Sequence, residues 1–288
     1  MKIAAIVILY FPEPEILSNI ASYINHVDKV FIYDNSPTCS FLHNKLPSSE
    51  KIDYVHDTLN QGIAIRLNNG MRKAVAEQYD WVLTMDQDSF FEPDMIERYL
   101  ICLQGYANKQ EVAMFGTQYG RQQKTFSAQC QPEQIHELIT SGTIINVDVF
   151  KIVGEFDEAL FIDSVDHDYC IRCKQYGFLL IQFANIFLTH ALGKLVKASS
   201  IKTLFLAKKK KFIHNPIRCY YMYRNLLYLE QKFKNQSAEL LVSVRSTALS
   251  SIRNSIFYGR YTVRIAQYLI AAQSDFKKGI MGKCTHRF

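Results

Sequence analysis

The chain has 288 residues, 48% hydrophobic and 21% charged, with only 12 glycines and 7 prolines, a composition that excludes intrinsic disorder and fits one large domain or a core with an appendage. Its net charge of +6 is modest, and the excess, carried by Lys and Arg after residue 193 including Lys208 to Lys211, fits nucleic acid, an anionic membrane surface or phosphorylated ligands. Seven scattered cysteines, odd in number, do not make a disulfide framework in a protein this large and fit a reducing compartment.

Ile3 to Tyr10 is an apolar run too short for a signal segment with its cleavage site and far too short to span a bilayer, so it reads as a buried first strand over Ile3 to Leu9. Pro14 to Asn25 has helical spacing; Lys29 to Tyr33 and Ile52 to His56 are strands; Ile63 to Glu77 is a helix; Trp81 to Met85 is a fourth strand. That rhythm predicts a mainly parallel sheet with helices on both faces. Ligands of such sheets bind beyond the carboxyl ends of the strands, where Asp34, Asn35, Asn60, Asp86 and Asp88 all fall. No Gly-x-Gly-x-x-Gly follows the first strand and no phosphate-loop lysine is present, which argues against a dinucleotide enzyme or a P-loop NTPase.

Asn60-Gln61-Gly62 instead precedes a helix carrying Arg66, Asn68 and Gly70. A helix N-terminus with a nearby Arg can hold a diphosphate; ordinary capping by Asn60 plus a glycine turn explains the same residues equally well. Asp86 and Asp88 stand two apart where the fourth strand ends. With extended geometry through Gln87 they face one spot, suited to Mg²⁺ or Mn²⁺ with phosphate oxygens as further ligands. The plain alternative is a turn in which Asp88 or Ser89 caps the helix over Pro93 to Leu103.

Beyond it come a strand at Val112 to Gly116, another at Ser141 to Asn146 with a polar entrance, and a short helix at Val149 to Gly154. Asp163, Asp166 and Asp168 form a second acidic cluster. They open a helix whose apolar face is Tyr169, Cys170, Cys173 and Tyr176, with Gly177 as its cap and Asp168 positioned to pair with Arg172. Cys170 and Cys173 read as core thiols, since no second pair sits at zinc-ribbon spacing. Short strands at Leu179 to Phe183 and Ile186 to Thr189 lead to His190, which is a structural residue or the third member of a metal site with two aspartates.

From Pro216 the chain turns helical, with a second stretch over Ala238 to Ala272 carrying Arg245, Arg253, Arg260 and Arg264. Aromatic and basic residues on such helices suit an anionic bilayer's headgroup region; packing on the domain or on a second subunit is the even alternative. No apolar run reaches transmembrane length without charge, which predicts a soluble or peripherally attached protein.

Several motifs recur in an order and spacing that are specific together: Tyr10 and Pro12, Tyr33-Asp34-Asn35-Ser36, Asn60-Gln61-Gly62, Asp86-Gln87-Asp88-Ser89, Ser141-Gly142, Gly154-x-Phe156-Asp157-Glu158, Phe161-Ile162-Asp163 through Asp166-His167-Asp168 to Arg172, and His190 with Gly193. Over about residues 3 to 230 the chain resembles family 2 inverting glycosyltransferases of the GT-A fold, and within them the bacterial rhamnosyltransferases. The resemblance implies a Rossmann-like mixed, mainly parallel sheet in a catalytic domain over residues 1–200, with a helical extension over 201–288.

It also implies a nucleoside diphosphate sugar donor, most plausibly dTDP-rhamnose, held by Tyr10, Asp34, Asn60, Gly62, Arg66, Asp86 and Gln87, with Mg²⁺ or Mn²⁺ on Asp88, Asp86 and His190. Ser141, Gly142 and Asp163 fall on the acceptor side, and Asp166 matches the family's base. Val165 replaces the usual Glu before that base, and Leu9 the usual Thr of the opening motif. The implied acceptor is a lipid-linked surface polysaccharide at the cytoplasmic face of a bacterial membrane; nucleic acid is not an expected partner. UDP-galactose or UDP-glucose is the rival donor, and a non-catalytic glycan-assembly subunit the rival class.

Overall fold

The computed structural model describes residues 1–38, 42, 45–46, 50–120, 129–190, 194–198, 209–234 and 238–288. Met1–Phe156 with Tyr169–Ala191 form a first unit, and Asp157–Asp168 with Leu192–Phe288 a second.

The first unit opens with β1 (Ile3–Leu9), buried almost throughout because no residue of its run is polar and a central parallel strand is covered on both faces. The expected helix over 14–25 is shorter: α1 covers only Ile16–Ala21, followed by a 3-10 turn at Ile24–His26. Ser22 is the reason, since its hydroxyl and its amide both donate to the Asn19 carbonyl, a local bond that competes with helix continuation. β2 (Lys29–Asp34) and β3 (Ile52–His56) follow, then α2 (Gly62–Ala76) and β4 (Trp81–Asp86). The order β3-β2-β1-β4 is parallel throughout, so the polar ends of these strands gather on one edge. Gly70 lets α2 approach β1, because a Cβ there would lie 2.4 Å from Ile6 Cδ1.

Beyond β4 the sheet becomes mixed. Ser89 does not cap a helix; with Phe90 and Phe91 it forms β5 (Ser89–Phe91), antiparallel to the final strand of this unit. α3 (Met95–Gly105) starts only after Asp94. β6 (Val112–Tyr119), β7 (Pro132–Gln134) and β8 (Thr143–Asn146) come next. β8 lies antiparallel between β4 and β6. α4 (Val147–Val153) begins two residues earlier than expected, because the Asn146 side chain accepts from the amides of Asp148 and Val149. α5 (Val165–Gln175) spans the boundary between the units. The two short strands expected near residue 185 are one strand, β9 (Leu179–His190), whose pairing with β6 shifts register at Thr117/Gln118, so one backbone continues where the side-chain alternation changes phase.

The core between β1, β4, β6 and β9 is aromatic at its centre: Phe115 stacks on Phe183 at 5.5 Å, with Trp81 and Tyr106 against its other edges. Cys170, Cys173 and Cys219 are buried free thiols and Cys284 is a half-buried one, but Cys102 and Cys130 are joined in a disulfide. Sequence separation hid that pair. α3 packs on β9 and β7 pairs with β9, so the fold brings two distant thiols to one place. Of the apolar face expected on α5, Tyr169, Cys170 and Cys173 are buried, whereas Tyr176 is exposed.

In the second unit, β10 (Lys194–Ala198) and β11 (Lys209–Ile213) form an antiparallel ribbon. α6 (Pro216–Lys232) is capped by Asn215, whose side chain accepts from the Arg218 amide, with Pro216 at its first position. The single stretch expected over 238–272 is two helices, α7 (Ala238–Tyr258) and α8 (Thr262–Lys277). Gly259 donates to the Ser255 carbonyl, and the Thr262 hydroxyl to that of Ile256, so the carbonyls at the end of α7 are satisfied within the turn. Tyr220 and Tyr221 of α6 pack against Tyr268, Ala271 and Ala272 of α8, and the terminal segment closes over them through His286 to Asp275 and Cys284 N–H to the Tyr221 hydroxyl. Among the described residues no helix is long and apolar enough to cross a membrane.

Candidate active site

In the first unit, the loops after β1, β2, β3 and β4 are tied together by side chains rather than by sheet pairing. Asn35 is the centre. Its Nδ2 donates to the Gly62 carbonyl at 3.0 Å, and its Oδ1 accepts from the Gln61 amide and from Arg66 Nε. Asn35 thus joins the end of β2 to the first turn of α2. Asn60 Oδ1 accepts from the Gly62 amide at 3.1 Å, so side chains satisfy the first amides at the entrance of α2.

Arg66 directs its guanidinium to partners within the protein. It is buried, donates to both carboxylate oxygens of Asp57 and to the Leu59 carbonyl, and holds the β3–α2 loop closed. The hydrogen bonds from Arg66 keep Asp57 below the usual carboxylate range. Arg66 thus ties the β3–α2 loop to the end of β2. Asp34 is likewise fully buried, accepting from the Ser36 amide at 2.9 Å and the Tyr54 hydroxyl at 2.8 Å, so it shapes the loop from within. His56 Nε2 meets the Ser36 carbonyl at 2.9 Å and Ser36 Oγ accepts from the Phe11 amide.

Tyr10 and Gln87 form a reciprocal pair. The Tyr10 amide donates to Gln87 Oε1 at 2.8 Å, and Gln87 Nε2 donates to the Tyr10 carbonyl at 3.3 Å. This clasp, with Asn19 Nδ2 on the Gln87 carbonyl, fixes the turn between β4 and β5. The extended geometry expected through Gln87 is not present: Gln87 and Asp88 form a turn, so the tip, rather than strand alternation, aims the two carboxylates. Asp86 is half-buried; Asp88 is exposed and lines a cleft of about 550 Å³ together with Gln87, Glu13, Glu15 and Asn19.

Ser141 and Gly142 support this tip. Ser141 Oγ accepts from the Asp86 amide at 3.3 Å and donates to Ser89 Oγ at 2.8 Å, and Ser141 is buried. Gly142 has φ +65 and donates to the Thr84 carbonyl, and a Cβ there would sit 2.7 Å from Leu188 Cδ2. His190 pairs with Ser89 through the backbone, while its side chain lies outside the described residues, as does Gly193. Among the described residues no three His, Cys, Asp or Glu side chains stand together as a metal cage. A pair of carboxylates still fits Mg²⁺ or Mn²⁺, which keep waters and phosphate oxygens in the remaining positions.

In the second unit, Asp163 and Ser164 are consecutive residues in left-handed conformation, φ 63 and 66, a strain of roughly 1–3 kcal/mol each that surrounding structure must sustain. Asn225 of α6 supplies that support by donating to the carbonyls of Ile162 and Asp163, both at 2.8 Å. Arg218 donates to Asp163 Oδ1, while Asp163 Oδ2 is buried without a hydrogen-bond partner. Asp166 follows in the first turn of α5 with its side chain 19% exposed, accepting at Oδ1 from the His167 amide. Val165 beside it is buried, and Phe161 stacks on Tyr221 at 5.4 Å.

Lys232 completes the segment by bonding Asp157 and the fully buried Asp168, each at 2.6 Å. Asp168 takes Lys232, and Arg172 donates to the carbonyls of Val153 and Glu155. Burial would raise the Asp157 pKa, but hydrogen bonds from Lys232 and the Tyr228 hydroxyl outweigh it and hold the carboxyl below its usual range. Asp57, Tyr54 and Lys232 escaped the sequence reading, and the supporting role of Asn225 was not read from it. For Asn225 a signal existed, an amide beside an arginine in an otherwise aromatic helix; for the others only tertiary contact identifies them.

A family model described as glycosyl transferase family 2 matches residues 4–151. The dTDP-rhamnosyl transferase RfbF of Shigella flexneri is 29% identical, with 98% of this chain and 97% of the relative aligned. Among solved structures, residues 1–349 of S. aureus TarS superpose with a TM-score of 0.56 at 14% identity, covering 97% of this chain and 81% of that one. The same TarS fragment in complex with UDP-GlcNAc gives 0.55 at 15% identity, covering 97% and 82%. GalNAc-T7 with UDP, GalNAc and Mn²⁺ gives 0.53 at 11% identity over 66% of this chain, which spans 44% of that protein's length.

Proposed function

The chain belongs to glycosyl transferase family 2, and from that premise we propose that this GT-A glycosyltransferase moves L-rhamnose from dTDP-rhamnose to a hydroxyl of a lipid-linked surface polysaccharide, with inversion at the anomeric carbon. The observation that carries the donor is the end-to-end similarity to a dTDP-rhamnosyl transferase. Asp86 and Asp88 hold Mg²⁺ or Mn²⁺. When bound, that cation neutralises charge on the departing nucleoside diphosphate. Asn60 and the amides opening α2 receive the diphosphate, with Asn35, Arg66 and Asp57 keeping that turn in place. Tyr10 and Gln87 brace the β4 tip, and Asp34 orders the base-side loop from behind.

Asp166 takes the proton of the acceptor hydroxyl as its oxygen bonds to the anomeric carbon and the carbon–oxygen bond to the diphosphate breaks, its electron pair leaving on the phosphate oxygen. The placement of Asp166 in the first turn of α5 beside buried Val165, with its side chain 19% exposed, favours such a role.

Calorimetric titration with dTDP-rhamnose, UDP-glucose, UDP-galactose and UDP-GlcNAc, with Mn²⁺ and after chelation, tests the donor and the metal together. The expected result is metal-dependent binding of the dTDP sugar, weakened about 100-fold or more in Asp88→Ala. Preferential binding of a UDP sugar overturns the donor; binding of no nucleotide sugar removes the catalytic reading in favour of an assembly subunit.

A further inference from the structure

The second unit divides its aromatic and basic residues into two populations. On α6, Arg224, Tyr220 and Tyr221 are buried, and Arg224 donates to the Gly282 carbonyl and the Tyr220 hydroxyl. Those residues hold the unit together. Around the turn between α7 and α8 the same residue types face outward: Phe257 and Tyr261 are each 54% exposed and Val263 75%, and Arg253, Arg260 and Arg264 are exposed beside them. From Leu240 to Ser274 the sequence contains four arginines and no aspartate or glutamate. Leaving large apolar side chains next to unneutralised arginines is unfavourable in water, yet it matches an interface whose surface is anionic and whose interior is apolar.

We infer that the α7–α8 turn docks on an anionic lipid bilayer, with Phe257, Tyr261 and Val263 entering the headgroup region and Arg253, Arg260 and Arg264 meeting lipid phosphates. Charge selects this occupant over a second copy of the chain. In a two-fold interface each residue meets the same patch of its partner, so arginines without carboxylates would oppose one another, whereas a lipid surface supplies the complementary sign. The Arg264 guanidinium lies 5.7 Å from the Tyr261 ring, an arrangement that orients the ring beside the charge and suits the boundary between headgroup and acyl chain. The inference rests on the lipid-linked acceptor reading only for its biological purpose; docking itself needs no donor and no catalysis.

The test is co-sedimentation of the full chain with vesicles of phosphatidylcholine alone or with about one-third phosphatidylglycerol, without nucleotide sugar. Binding is expected to the anionic vesicles only and to fall steeply as salt shrinks the screening length from about 10 Å to about 3 Å. At about 1 kcal/mol per basic residue, Arg260→Gln with Arg264→Gln weakens partition roughly 30-fold. Tyr261→Trp adds a depth readout, its emission shifting to the blue on anionic vesicles against the constant background of the buried Trp81, the one native tryptophan. Equal binding to both vesicle types, binding to neither, or full binding by the double variant overturns the inference. A dimer in sedimentation velocity that the same substitutions abolish, without vesicle binding, overturns it in favour of self-association. Because donor titration and vesicle binding are separate assays, either reading can fail alone.

Discussion

The strand-end loops of the first unit and the Asp157–Asp168 segment of the second both present carboxylates, but they are held by different means. In the first, a buried amide and an arginine, Asn35 and Arg66, tie the loops after β2 and β3 to α2, and Asp86 and Asp88 stand at a turn beyond that network. In the second, no sheet supports the segment, and its carboxylates are fixed one by one by cations of α6: Asp163 by Arg218, Asp157 and Asp168 by Lys232. Asp166 is the one aspartate of that segment with no lysine or arginine partner among the described residues. The difference teaches how to separate chemistry from architecture within an acidic cluster: a carboxylate neutralised by a cation of a neighbouring helix is structure, and the one left out of the pairing is the candidate for proton transfer.

Asp166→Asn is the sharpest way to break that distinction. Removing a general base costs about 10²–10⁴ in rate, so transfer is expected to fall by that factor with thermal stability unchanged; a variant with near-native kcat assigns the proton to Asp163 instead. Lys232→Met reverses the pattern. It removes the ammonium bonded to Asp157 and to the buried Asp168, a loss of about 3–5 kcal/mol, visible as an earlier denaturant midpoint.

Acid extends the same comparison. Asp57 and Asp157 both have folded pKa values below the ordinary one, so the folded chain binds fewer protons than the unfolded chain near pH 4. The stability they contribute is complete above about pH 4, where unfolded aspartates ionise, and is lost as pH falls through their folded values. Melting temperatures between pH 6 and pH 3 check this, and the slope is expected to be shallower in Lys232→Met, which reduces the Asp157 contribution to what Tyr228 and the Ala159 amide sustain. The smallest expected effect is Tyr54→Phe, which removes one hydrogen bond to Asp34 and costs about 1 kcal/mol in the first unit while leaving the second untouched.

Much of the fold was legible beforehand. Ile3 to Leu9, Ile52 to His56 and Trp81 to Asp86 are strands because apolar, β-branched runs bounded by polar residues have few other ways to bury themselves. The strand-end position of Asp34, Asn60, Asp86 and Asp88 followed from that alternation alone. The break between α7 and α8 was not legible, since a single glycine in a helical pattern is compatible with continuation, and neither was β5, a three-residue strand that exists only because β9 is there to pair with it.

Local order along the chain therefore determined which residues could reach a site: hydrophobic periodicity depends on neighbours a few positions away, and the motifs that carry the family resemblance are contiguous. Which of those residues are available for chemistry was decided only by tertiary structure. Arg66, Asp34, Ser141 and Asp168 belong to the same motifs as Asp86, Asp88 and Asp166, yet burial and long-range partners, Asp57, Tyr54, Ser89 and Lys232, turn them inward. The physical reason is that a polar group withdrawn from water must find a partner, and that partner lies tens of residues away, beyond the reach of any local pattern.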